Sequence, residues 1–275
     1  AALKGEDGLE HLQPWVSTSQ ELYRLWPGVL EHRIAACWSK QRLAFSDAHV
    51  GSTSLARTHM QEARKILEED LNPAPLPSRL RFEQIRLARL EGALDGLLGL
   101  SPGPAYTRAG AALNALTPEL RKHPDGIDED FTLNYERAAV DLGWGLDISP
   151  QIAALQRVLD DWMKAKHSIA WFTANQIMLW RLRGLQDLSQ GRSGEQWVAQ
   201  GLKQIRFARE KSMTRMVEVW SGVEGALLVQ SARSLDGNKK KECLEQGLRR
   251  LQMATAMDES LRWTFRQEFK MALEN

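Results

Sequence analysis

A helical triplet recurs five times along the 275 residues: a small residue, a second four positions on that is bulkier in all copies but one, then alanine three later. It reads Ala56/Met60/Ala63, Ala105/Ala109/Ala112, Val158/Trp162/Ala165, Gly201/Ile205/Ala208 and Gly247/Leu251/Ala254, and the final alanines lie 49, 53, 43 and 46 residues apart. Recurrence at such a period is the mark of stacked helix pairs, in which no unit buries its apolar face without its neighbours. The pattern therefore predicts an all-α chain.

Almost every segment between breakers carries apolar residues at three-and-four spacing, and β-branched alternation is nearly absent. Helices are expected at about 17–26, 29–47, 52–71, 78–99, 104–116, 129–146, 149–166, 168–190, 194–211, 213–235, 239–256 and 259–273. Breaks fall at Asn72–Pro77, Ser101–Pro104, His123–Gly126, Asp147–Pro150, Gly191–Gly194 and Asp236–Asn238, each a turn or capping signal. Ser149 before Pro150 reads as an N-cap with proline at the first helical position. Pairing the helices gives one domain over 1–275 with hairpins at about 29–71, 78–116, 129–166, 168–211 and 213–256 and a closing helix at 259–273. The expected architecture is a right-handed α-solenoid of about five antiparallel hairpins with end helices.

Charge narrows the partners. The formal net charge is +1, so nucleic-acid binding would need a local basic patch. The candidate, Lys203, Arg206, Arg209, Lys211 and Arg215, is diluted by Glu210 and reads as a solvated outer face. No run of eighteen apolar residues and no signal segment occurs, so membrane insertion is not expected and a cytoplasmic location is. The opening Ala1-Ala2 suits a processed chain or a domain of a larger protein. Cys37 and Cys243, in the first and last repeats, are expected to be free thiols, as in a reducing compartment.

No catalytic or cofactor motif is present. The six histidines form no paired ligand spacing with cysteine or carboxylate, so no metal is expected. Asp125, Asp128, Glu129 and Asp130 lack the spacing of a calcium loop and suit a helix start, where carboxylates complement the macrodipole. Phosphate loops, GxGxxG and GxSxG are all missing. Ten tryptophans are many for this length. Trp162, Trp180 and Trp197 occupy repeat positions and read as core, whereas Trp171 and Trp220 fall outside the register and are candidates for an aromatic pocket.

The small-large-alanine triplets resemble the second helix of a tetratricopeptide repeat. Tyr135/Ala139/Leu142 and Leu228/Ala232/Leu235 are similar to that family's first helix, and Trp180/Gly184 fits in part, with Asp187 at the third position. The long spacing between the two helices resembles the degenerate arrays of bacterial regulators, including the sensor regions of MalT-like activators. The resemblance implies a concave surface lined by first helices, which would turn Glu136, Arg181, Arg233 and Asp236 toward a protein or peptide partner. It implies a non-catalytic binding scaffold in a bacterial regulatory or assembly system. The alternative is a small-molecule-sensing domain, and an all-helical enzyme stands third.

Overall fold

The computed structural model describes residues 6–68, 77–164, 168–210 and 217–274. Among them are fourteen α-helices, one 3-10 turn and no strand. The helices are α1 (Glu6–Leu25), α2 (Leu30–His49), α3 (Thr53–Glu68), α4 (Ser78–Leu97), α5 (Gly103–Asn114), α6 (Pro118–Arg121) and α7 (Pro124–Gly143). They continue as α8 (Ser149–Lys164), α9 (Ile169–Ser189), α10 (Glu195–Glu210), α11 (Val217–Ser231), α12 (Gly237–Met257), α13 (Leu261–Thr264) and α14 (Arg266–Leu273), with the 3-10 turn Ala232–Ser234 after α11. Ala165, Lys211 and Arg215, and most of the proline-rich break after α3, lie outside the described residues.

The sequence limits hold to within a few residues for most elements. Three differences have visible causes or consequences. Thr117 caps an unforeseen short helix, α6, by accepting from the Leu120 amide, with Pro118 at the first position. Ser149 does not cap α8; its hydroxyl and amide both donate to the Asp147 carboxylate. The closing helix is interrupted at Phe265, where the Thr264 carbonyl accepts from Arg181.

The turn leaving each first helix is built alike. Gly51, Gly99, Gly145 and Gly191 all take positive φ, and each amide donates to the carbonyl three residues back. The following amide, of Ser52, Leu100, Leu146 or Arg192, donates to the carbonyl of Asp47, Asp95, Asp141 or Asp187. These are Schellman caps, and the left-handed position favours glycine because a Cβ would crowd the carbonyl. With Gly237 the positive-φ glycines recur at intervals of 48, 46, 46 and 46 residues. Each of the first four follows an aspartate by four positions; at the fifth, Arg233 stands in its place.

A carboxylate in the last turn opposes the helix dipole. Three of these aspartates are compensated from across the hairpin: Asp47 by His59 at 2.7 Å, Asp141 by Gln151 at 3.2 Å and Asp187 by the Trp197 indole at 2.8 Å. Arg192, in the turn itself, also donates to Asp187. The fourth, Asp95, is half-buried beside Arg57, Arg108 and Arg64, and burial first, then Glu91, raises its pKa.

The chain gathers into two compact units, Ala1–Asp130 and Phe131–Asn275, with the boundary inside α7. In the first, α2 packs on α3 and α4 on α5, and the triplet residues Ala56, Met60, Ala63, Ala105 and Ala109 are buried. Several of its charges are paired where they enter the core. Glu91 receives a two-pronged contact from Arg64 and a third bond from Arg108 at 2.7 Å, and Arg89 reaches Glu129 at 3.2 Å. Glu129 is thus a buried partner of α4, not a helix-start charge.

The second unit holds two apolar clusters. One joins α7, α8 and α9 through Phe131, Leu142, Ile152, Leu159 and Leu182; the other joins α9, α10, α11 and α12 through Ile177, Ile205, Leu227 and Leu251 and includes Phe265. Gly201, Ile205, Ala208, Gly247, Leu251 and Ala254 lie buried at helix contacts, where the triplet spacing places them.

Candidate functional site

Arg181 is the largest fully enclosed side chain among the described residues. A buried guanidinium survives only if its donors are met by oxygen atoms and its charge by a carboxylate. Here Nε donates to Glu268 Oε1 at 2.8 Å and Nη2 to Oε2 at 2.6 Å, a parallel fork between α9 and α14. Nη2 also donates to the Thr264 carbonyl at 2.7 Å, and Nη1 to the Tyr135 hydroxyl of α7. Gln230 of α11 donates to Glu268 Oε1 at 2.8 Å. Five helices, α7, α9, α11, α13 and α14, therefore meet at one ion pair.

Burial works against the charge on Arg181, but Glu268 and Tyr135 outweigh it and hold its pKa above the ordinary value. Burial likewise pushes the Tyr135 hydroxyl up. The guanidinium also lies over the Phe265 ring, 4.9 Å from its centroid. Room for that ring comes from Gly222 of α11, where a Cβ would collide with Phe265. At the other edge, Arg266 and Gln267 donate to the Ala139 carbonyl of α7 at 2.9 and 3.3 Å. The face built by α7, α9 and α11 thus holds the α13–α14 segment by an aromatic socket, a buried charge fork and a carbonyl contact.

The expected partner residues separate into two groups. Arg181 and Glu136, taken as lining an open concave surface, are both buried, and Arg181 is covered by α14. What the periodicity left out is that α14 of the chain itself packs over Arg181. Arg233 and Asp236 are exposed, in and just after the 3-10 turn that ends α11. Trp171 is half-buried and stacks on Trp162 at 3.8 Å against the α7–α9 cluster, and Trp220 is buried in the other cluster.

A cavity of about 200 Å³ lies where the start of α10 faces the end of α11, lined by Arg192, Ser193, Glu195, Gln230, Arg233 and Ser234 among others. Arg233 has no hydrogen bond or ion pair among the described residues, whereas Arg192 is committed to Asp187. In the first unit a cavity of about 280 Å³ is lined by Arg64, Glu68, Glu91 and Arg108, charges that balance one another. Among the described residues no group of three or more His, Cys, Asp or Glu is placed to hold a metal ion, and no helix is long and apolar enough to cross a membrane.

Glu268 and Phe265 are the residues the sequence reading passed over. The signal available was their i, i+3 spacing in an amphipathic closing segment, which puts both on one face. Comparison with protein-family models, curated proteins and solved structures gave no match. The fold and site define an all-helical protein whose second unit buries a charge fork between α9 and its closing helix α14.

Proposed function

We propose that this chain is a non-catalytic helical-repeat scaffold, a tetratricopeptide-like solenoid of about five hairpins, that binds a protein or peptide segment on the face of its first helices. The observation that carries the reading is the α7–α9–α11 face, which already grips a helical segment through Arg181 and Glu268. The evenly spaced glycine caps support the repeat, and the exposed Arg233 and Asp236 extend the same inner helices to a solvated rim where charge orients a partner. A bacterial regulatory or assembly system is the setting that the resemblance implies.

Crosslinking mass spectrometry on proteins captured by the full chain tests this. Crosslinks to a discrete partner should map to α7, α9, α11 and the Arg233 turn, and Arg233→Glu with Asp236→Lys should weaken capture. Crosslinks confined to the outer residues of α8, α10 and α12, with the double variant capturing normally, would sink the reading.

A second reading, a small-molecule sensor, is favoured by the cavity beside Arg233. Its lining of opposite charges suits a small ligand with polar groups, in place of the aromatic pocket expected at Trp171 and Trp220.

A further inference from the structure

We infer that the cavity between the start of α10 and the end of α11 binds a small free α-amino acid, with its carboxylate on Arg233 and its ammonium between Glu195 and Gln230. The inference rests on the sensor reading of that cavity and names the class of its ligand.

The lining sorts by burial into a mouth and an inner end. Arg192, Glu195, Arg233 and Ser234 are exposed, whereas Gly194, Val198 and Gln230 are buried. The volume of about 200 Å³ holds roughly seven waters at liquid density, which is the size of an amino acid with a short side chain. A drug-sized ligand needs a larger cleft.

Gln230 supplies the buried contact. It is 2% exposed, and its Nε2 donates to the Arg181 carbonyl at 3.3 Å and to Glu268 Oε1 at 2.8 Å. Both partners are acceptors, so they fix the orientation of the amide and Oε1 is the atom left over. Oε1 has no hydrogen-bond partner among the described residues, and it lies against Gly184, the glycine on which Gly194 of the cavity wall packs. A buried acceptor left without a donor is costly, and an ammonium brings three donors.

The mouth supplies the two charges. Arg233 has no hydrogen bond or ion pair among the described residues, and Glu195 engages only its amide, which donates to Ser193 Oγ. Arg192 is held by Asp187 at 2.9 Å. Two opposite charges therefore line one cavity without pairing with each other, and a free amino acid carries both complements two bonds apart. Its carboxylate takes parallel bonds from the guanidinium, and its ammonium bridges Glu195 and Gln230 Oε1. A ligand with one charge satisfies one of the two residues, which is the basis of discrimination.

Isothermal titration calorimetry of the full chain with L-alanine, propionate and ethylamine tests the pairing, because the last two each keep one charge of the first. Alanine should bind, and the other two should bind roughly tenfold more weakly or less. Arg233→Ala and Glu195→Ala alter exposed residues, so both variants should keep the melting temperature of the parent and lose about tenfold in alanine affinity. Gln230 also holds Glu268, so its contact is read from the ligand: N,N,N-trimethylalanine keeps both charges, has no donor and should fail to compete with alanine. Propionate, ethylamine or the trimethyl compound binding as tightly as alanine overturns the amino acid and leaves the sensor reading in place. An alanine affinity unchanged in both variants puts the binding elsewhere and overturns the site. If no probe binds, the amino acid falls, and a small-metabolite extract that then fails to raise the melting temperature removes the sensor reading as well.

Discussion

Arg181 and Glu268 form a two-pronged ion pair across 87 residues of chain, with side chains 1% and 0% exposed. No local rule of helix formation asks for either residue. The pair fixes where α14 lies on α9, and by covering Arg181 it turns a residue that reads as a surface contact into the centre of the second unit.

Removing one partner should therefore be costly. Glu268→Leu or Arg181→Met leaves the other charge buried and unpaired, and denaturant melts should show a loss of about 3–5 kcal/mol. The double variant should recover much of that loss, since two apolar groups desolvate without penalty. Additive losses in the double variant would show that the pair is not coupled.

Close helix contacts predict a second set. Gly222→Ala should push against Phe265 and Ala254→Leu against its buried surroundings, each lowering stability by about 1–3 kcal/mol. Gly28→Ala is the control, with nothing within 4 Å of the added Cβ and an ordinary φ. Equal melting temperatures for all three would contradict the packing.

The glycine caps predict a uniform cost. Alanine at Gly51, Gly99, Gly145 or Gly191 meets open space but a left-handed backbone, so each change should cost roughly 1–2 kcal/mol from conformation alone. Thermal melts of the four variants should cluster together; scatter as wide as the core variants show would mean that local packing, not φ, governs these sites.

Glu129 predicts the pH response of the first unit. Burial raises its pKa, with the Arg89 charge acting the other way. A carboxyl raised in the folded state binds its proton more tightly there than when unfolded. Its contribution is therefore present at acid pH and is lost as pH rises from the usual glutamate range through the raised value. Glu129→Gln, neutral throughout, should flatten that slope in urea melts run from about pH 4 to about pH 8. Parallel curves for parent and variant would rule Glu129 out as the source.

Both cysteines are free, and burial pushes the Cys37 thiol up to about 12. At about pH 8 only about one Cys37 in ten thousand is thiolate, so native alkylation should reach Cys243 first and Cys37 only on unfolding. Mass spectrometry of partially labelled protein reads the order directly, and early label on Cys37 would place it outside the core.

Most helices and most of their ends are legible in the chain, because apolar periodicity, proline and glycine act within a few residues; the early start of α1, the short α6 and the break at Phe265 are not. The same locality made the buried triplets legible, as at Gly201, Ile205 and Ala208. It also carried a repeat that the triplets only approximate: aspartate four before a left-handed glycine, at Asp47, Asp95, Asp141 and Asp187. Tertiary structure alone decided which charged residues face water. Arg181 and Arg233 share a side of their helices in the sequence reading, yet one is enclosed and the other exposed. The difference is made by α14, which returns from far along the chain to one of them and not the other. Burial of a charge depends on a partner that spacing within one helix does not encode.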